Sequence, residues 1–421
     1  MKRIAIVGGG ITGLATAYRL ERLTNASIDL YEADSRLGGK LQTEQTDGFI
    51  IESGPDCFFA RKPGAMELVA EFGMEDQLIE PLEKQFMMLV NGKLHHVPGG
   101  LVTFTQGLPN AVSEATFLSA KCKARVGEEV IQPKAEREDE SIRSFFTRRF
   151  GEEFSRLVAE PLLAGTHGGD PDLLSMRALY PGYFNLERKH GSLSAGMQNR
   201  TLKDPAETRK SSFLSFKDGM QTIVDALSSR LSRTRIHLEN RVNQLPDADR
   251  VVVATPSTTT KSLLPGIGLE QIKYRSSTIF TVAFRRDNID HPMDGTGFLV
   301  PPQEASAISG ATWSSQKWAG RAPDGLVLMR LFLREECPSE AAALKSVVQL
   351  LGINGSPLFT QSQRWQDALP QYEVGHLNLI DSIEKRLPPN VFIAGTSYRG
   401  VGVPDCLRQG HDIALRIAES L

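Results

Sequence analysis

Positions 4–15 read IAIVGGGITGLA, and no other stretch narrows the fold so far. Residues 4–7 are apolar and long enough for one buried strand. Gly8, Gly10 and Gly13 then stand in the pattern G-x-G-x-x-G. The first glycine allows a tight turn, the second lets backbone approach a pyrophosphate, and the third lets the next helix pack close to the strand. That helix would aim its free N–H groups at the pyrophosphate. A second apolar run, SIDLYE, ends in Glu32, placed where a carboxylate can accept a hydrogen bond from a ribose 2′-OH. Strand, glycines, helix, strand and acid in this order predict a Rossmann-like dinucleotide site.

Length and charge bound the rest. At 421 residues the chain is too long for one ordinary core, so two or three domains are expected. Lys and Arg total 48 against 50 Asp and Glu, which leaves no basic field to gather nucleic acid. Cys57, Cys122, Cys337 and Cys406 are far apart and form no C-x-x-C, and the eight histidines have no metal-ligand spacing. No metal is expected, and a reducing cytoplasmic compartment is. The apolar run near Met1 is too short for a signal-peptide core, and no stretch is long enough to span a bilayer. A peripheral contact on the inner face of a membrane stays open, since it needs only a surface patch.

NAD and FAD both carry an adenosine ribose, so Glu32 does not separate them. The following EADSRLGGKLQT does, because it puts Arg36, Gly38 and Gly39 directly after the acid. This stretch resembles the extended FAD motif of the glutathione-reductase and amine-oxidase superfamily. There the arginine would add charge near the diphosphate and the glycines would let backbone approach the flavin side. An NADP 2′-phosphate contact, or a solvated side chain, is the alternative for Arg36. No second G-x-G-x-x-G follows, so an oxidase using a diffusible acceptor such as O2 is favoured over an NAD(P)H-fed reductase. Near the other end, VFIAGTSYRGVGVPDC predicts a strand at 391–394, a glycine turn through Gly395, Gly400, Val401, Gly402 and Val403, and a helix opened by Pro404. In the superfamily such a helix points at the pyrimidine end of the flavin. RIHLENRVNQL and DRVVVATPS read as further strands of the same domain, with Val242 a backbone contact to adenine by the same likeness. Cys406 reads as a packed cysteine, with a covalent flavin anchor as the alternative.

The middle is less specific. NGK at 91–93 marks a turn, and His95 and His96 alternate on a strand. QPKAEREDE (132–140) reads as a solvated linker, 140–171 as two amphipathic helices, and 199–212 as a polar loop. Strand-like runs at 274–286 and 325–335 suit an antiparallel sheet.

Six blocks make a closer likeness: ESGPDCFFARKP, DESIRSFFTRRFGEE, EPLLAGTHGGDPDLLSMRALYPGYFNLERKHGSL, FLSFKDGMQTIVDAL, RWQDALPQYEVGHL and VFIAGTSYRGVGVPDC. Together they resemble the oxygen-dependent protoporphyrinogen/coproporphyrinogen oxidase family of haem biosynthesis. The resemblance implies an α/β plus α+β architecture: a discontinuous FAD domain (1–75, 210–268, 364–421), a largely helical, membrane-surface type domain with part of the substrate site (76–209), and a substrate domain with an antiparallel sheet (269–363). It adds Lys40, Gly54, Pro55 and Trp365 to the cofactor set, and puts Arg61, Lys62, Gly168, Tyr372 and His376 near the substrate. It implies six-electron oxidation of a porphyrinogen, O2 as acceptor, H2O2 as product, no protein base, and transient contact with neighbouring haem-pathway enzymes. Arg61 and Lys62, with no arginine before NGKL (Lys84 and Gln85 stand there), favour coproporphyrinogen III over protoporphyrinogen IX. An amine or polyene oxidoreductase and a flavin-free GDI-like binder are the remaining alternatives.

Overall fold

The computed structural model describes residues 1–82, 85–103, 108–198 and 211–421. Lys84 and most of the expected polar loop (199–210) lie outside the described residues. The chain divides into two compact units. One comprises Met1–Glu80, Asp204–Lys273 and His376–Leu421, the other Pro81–Lys203 and Tyr274–Gly375.

The first unit is built on a five-stranded parallel sheet. Its spatial order is Thr234–His237, Ser27–Tyr31, Arg3–Val7, Arg250–Val253, Val391–Ile393. Parallel neighbours need crossovers, and the helix Ile11–Leu23 supplies the first. Ile4, Ile6, Ile28, Leu30, Val252 and the helix residues Leu14, Ala17 and Leu20 are at most 1% exposed and form its core with Ile413 and Ile417 of the C-terminal helix Val403–Glu419. Each such aliphatic burial contributes about 1.5–3 kcal/mol. The register puts Val7 beside both Tyr31 and Val253, and Val253 beside Ile393, so four strands end on one line. Ligands of open parallel sheets bind along that carboxyl edge. The two long helices cross at Gly410, where an added Cβ would sit 2.8 Å from the Thr12 carbonyl oxygen.

The second unit carries a seven-stranded sheet, ordered Phe359–Gln371, Lys273–Arg285, Leu326–Leu333, Ile308–Trp313, Gly297–Leu299, Met87–Val90, Lys93–His96. Its pairs are mainly antiparallel, as expected, with one parallel pair, Gly297–Leu299 against Met87–Val90. Through that pair the segments 81–203 and 274–375, which the sequence separates, share one sheet. Asn91 and Gly92, at φ 52° and 71°, form the two-residue turn that NGK announced. The helix Ile142–Phe150 is capped by Ser141 and stops at Gly151, φ 91°. A ten-residue π-helix, Ser155–Ala164, follows with Pro161 inside it. Phe145, Phe146, Phe150 and Phe154 stack along this segment, fully buried.

One expectation is corrected here. The end of 132–140 is no solvated linker: Glu140 is 3% exposed and accepts from Arg148 and Ser144. Asp139 accepts from Ser175 Oγ and from the Gly375 and Arg177 backbone. A charge run in sequence does not show the partners that fold onto it. Among the described residues no helix is long and apolar enough to cross a membrane, and no group of His, Cys, Asp or Glu could hold a metal ion.

Candidate functional site

The carboxyl edge of the parallel sheet gathers most of the residues singled out above. Gly8 turns with φ 108°, and a Cβ there would meet the Ala254 carbonyl oxygen at 2.8 Å. Gly13 lies so close beneath the turn that its Cβ would fall 1.9 Å from the Gly8 oxygen. Gly10 is the N-cap of the first helix, with no side-chain cap, and a Cβ there would meet nothing within 4 Å. Open space in front of a helix terminus without a side-chain cap is what an anion requires. Glu32 stands beside it, accepting from the Gly9 N–H at 2.7 Å and the Asp34 N–H at 2.9 Å.

The R-x-G-G loop is docked on this turn. Gly38 donates to the Gly9 oxygen at 2.9 Å and pairs with Gly10 as an isolated bridge. Arg36 is not extended toward a phosphate. Its guanidinium donates to the carbonyls of Leu37 and Leu41, to the Gly39 carbonyl and to Gln42 Oε1. Burial lowers its pKa, and its hydrogen bonds hold the loop 37–42. Gly54 packs on the same loop, its Cβ position 1.8 Å from the Lys40 oxygen, while Pro55 is exposed. Burial also lowers the Lys40 ammonium.

The second glycine turn arrives on the opposite side of the central strand. Gly395 and Gly400 have φ 119° and 124°. Gln409 stitches them, accepting from the Gly395 N–H and donating to the Gly400 oxygen. Gly402 caps the C-terminal helix, Val401 is half-buried and Val403 buried. Asp405 folds back under the turn: its Oδ2 accepts from the Gly402 N–H at 3.1 Å and from Lys62 Nζ at 2.8 Å. Lys62, expected near the substrate, is thus held by Asp405. Its neighbour Arg61 has a buried Nε without a hydrogen-bond partner. Cys406 is 2% exposed, bonded to Thr12, and burial pushes its thiol up to about 11.

Val242 is half-buried in the coil after Thr234–His237, and the neighbouring Glu239 and Asn240 donate to the Asp34 and Glu32 carbonyls. Trp365 lies on Phe359–Gln371 in the second unit and is not among this group. Gly168 (φ 58°) and Tyr372 also belong to the second unit. There Gln371 donates to the His167 oxygen and Tyr372 accepts from the Ser175 N–H, so the GTHGGDP and PQYEVGH blocks are bonded together. Tyr372 is 1% exposed and His376 is 4% exposed, with His376 Nε2 against the Tyr398 oxygen. Both are packed residues.

Comparison with known proteins matches residues 11–418 to the family model for flavin containing amine oxidoreductase. The chain belongs to that family. It is 32% identical to the coproporphyrinogen III oxidase of Bacillus subtilis (strain 168) over 97% of its own length and 96% of that protein. It is 28% identical to the mitochondrial protoporphyrinogen oxidase of Nicotiana tabacum, over 98% of this chain and 94% of the other. A crystal structure from Exiguobacterium sp. 255-15, provisionally named a protoporphyrinogen oxidase, superposes with TM-score 0.86 at 30% identity, covering 100% and 99% of the two chains.

The cofactor is therefore FAD, and the first unit fits it. The helix terminus at Gly10 is open, Glu32 stands beside it on the Ser27–Tyr31 side, and the turn 395–403 lies across the sheet, an arrangement long enough for a dinucleotide. Sequence reasoning missed Gln409, Gly410 and Asp405. Asp405 had a readable signal: an acid at the third position of a helix opened by glycine and proline.

Proposed function

We propose that this protein oxidises coproporphyrinogen III to coproporphyrin III, with O2 consumed and H2O2 released. The observation that carries the reading is the cofactor seat, complete from Gly8 to Gly54 and from Gly395 to Val403, in a chain whose curated relative over almost its whole length bears that name. The first unit binds FAD. Gly8, Gly10 and Gly13 admit the pyrophosphate, and the N–H groups behind Gly10 hold it. Glu32 orients the ribose. Arg36 fixes the backbone of residues 37–42, and Lys40, Gly38, Gly39, Gly54 and Pro55 shape the wall it makes. Val242 contacts the adenine through its backbone. When bound, FAD takes up a hydride from a meso carbon of the porphyrinogen and delivers the electron pair to O2.

Six electrons leave the macrocycle, so the overall reaction consumes three O2 and forms three H2O2 per porphyrin. With three hydrides taken from meso carbons, three protons leave to solvent, net two from pyrrole nitrogen and one from the fourth meso carbon, and no side chain is needed as a base. Among the expected substrate cations, Arg61 keeps that role in this reading: its Nε has no hydrogen-bond partner, whereas Lys62 is bonded to Asp405. One charge-assisted bond there, worth about 1.5–3 kcal/mol, would favour a tetracarboxylate. Gly168, Tyr372 and His376 contribute by setting loop geometry. Purified protein supplied with coproporphyrinogen III should take up three O2 per fluorescent porphyrin. Turnover confined to protoporphyrinogen IX would move the assignment to that substrate, and turnover of neither would end it.

A further inference from the structure

We propose that Lys62 and Asp405 form a charge-compensating pair that sets the redox balance of the flavin. The inference rests on the FAD reading of the site and not on the choice of porphyrinogen.

Three observations bring these residues to the flavin end. The C-terminal helix starts at the carboxyl edge of the parallel sheet, next to the strand Val391–Ile393. The first helix starts on the same edge, and the two are joined there by Thr12 against Cys406 and by the crossing at Gly410. FAD is linear, with ribose, pyrophosphate and flavin in order. With its ribose held at Glu32 and its pyrophosphate at Gly10, the far end would run toward the second helix terminus. A helix N-terminus is positive and favours the anionic reduced flavin.

Asp405 works against that. It is the acid in the first turn of this helix, and its side chain is only 11% exposed. The carboxylate fills the space beside Gly400, where an added Cβ would fall 2.5 Å from the Asp405 Cγ, so only glycine leaves it this place. It is kept because it satisfies the Gly402 N–H, one of the donors that the turn would otherwise leave open. Its negative charge is the cost. Lys62 Nζ, 2.8 Å from the same oxygen, cancels that charge. The pair lets the turn have its cap while the helix terminus remains positive. Gly64 holds the lysine loop in place: it has φ 109°, and its Cβ would fall 2.7 Å from the Pro404 oxygen. Lys62 is 45% exposed, so its own contribution to fold stability is small. Its effect is on the charge felt at the turn.

The test is a set of flavin midpoint potentials measured with redox dyes and no porphyrinogen. Lys62→Met should shift the potential negative, a loss of the order of tenfold in the preference for reduced over oxidised FAD. Lys62→Arg should hold the wild-type value. Asp405→Asn, which can still accept from Gly402, should shift it positive. Lys62→Met combined with Asp405→Asn should return it close to wild type. The shift from Lys62→Met should shrink in high salt. An unchanged potential in both single variants overturns the proposal. A double variant as displaced as Lys62→Met also overturns it, since a packing defect would not be repaired by removing the second charge. A raised KM for coproporphyrinogen III with an unmoved potential would return Lys62 to the substrate. If Lys62→Met does not fold, Asp405→Asn alone decides, with a positive shift expected and no shift contradicting. Because these readings need no substrate, they can fail while the porphyrinogen assignment stands, and the reverse.

Discussion

At Gly13 and Gly54 a single carbon atom separates a formed cofactor seat from a blocked one. An added Cβ would overlap backbone oxygens at 1.9 Å and 1.8 Å, and backbone cannot rotate aside as a side chain can. Gly13→Ala or Gly54→Ala should weaken FAD binding by roughly ten- to a hundredfold, an overpacking cost of about 1–3 kcal/mol, measured by titrating apoprotein with FAD. Arg36 makes the opposite kind of contribution. Its planar fork reaches several carbonyls of one loop, which a lysine cannot do. Arg36→Lys should release FAD more readily, read as a lower flavin-to-protein absorbance ratio after dilution. The sequence announced the glycines and the arginine, because each is a residue type with few substitutes. It did not show that Arg36 bonds loop carbonyls or that Lys62 bonds Asp405, since a cation looks the same in sequence whether it faces a phosphate, a carbonyl or a carboxylate. Asp29 offers a pH test at this scale. The Arg235 guanidinium and then His237, against the opposing effect of burial, hold it down to about 2 from an ordinary 3.8. The depressed pKa means stability that is present above 3.8 and lost as pH falls toward 2. The thermal stability gap between wild type and Asp29→Asn should be full at pH 5 and close by about pH 2.

Among the elements, the parallel strands were legible because each is a short apolar run ending at a turn signal. The π-helix was not. Pro161 lacks an N–H and normally ends a helix, and only the tertiary setting of Ser155–Ala164 carries the chain through it. Nor could the sequence show that Met87–Val90 pairs in parallel with Gly297–Leu299, since nothing local records a partner two hundred residues away. The helix Ile142–Phe150 shows how far a buried element depends on such partners. Arg149 is fully buried and donates to the Glu129 carboxylate and backbone oxygen, to Gln132 and to Glu187, while Arg148 joins Glu187 to Glu140. Ser192, Leu193 and Ser194 complete the coordination of Glu129. Truncating one partner leaves a charge stranded in the core. Arg149→Met should cost about 3–5 kcal/mol in urea unfolding, and Arg148→Met, at the half-exposed end of the network, should cost less.

Over the whole molecule, the chain leaves the first unit and returns to it twice, and the N- and C-terminal segments meet in one sheet and one helix pair. The two glycine turns therefore lie on one edge although almost four hundred residues separate them. That closure was readable, because the turns carry the same chemistry at the two ends. The two-unit division was less so: the sequence suggested separate helical and sheet domains, and a strand pairing joins them. Of the residues the sequence favoured for the substrate, Lys62 is bonded to a carboxylate and His376 to a backbone oxygen. The decisive measurement is anaerobic: the holoenzyme is mixed with coproporphyrinogen III or protoporphyrinogen IX and flavin absorbance is followed, with air then admitted. Rapid bleaching by coproporphyrinogen III, much slower bleaching by protoporphyrinogen IX, and recovery of the yellow colour with porphyrin fluorescence in air are the predicted result. A flavin that neither porphyrinogen reduces, or that protoporphyrinogen IX reduces faster, would contradict it.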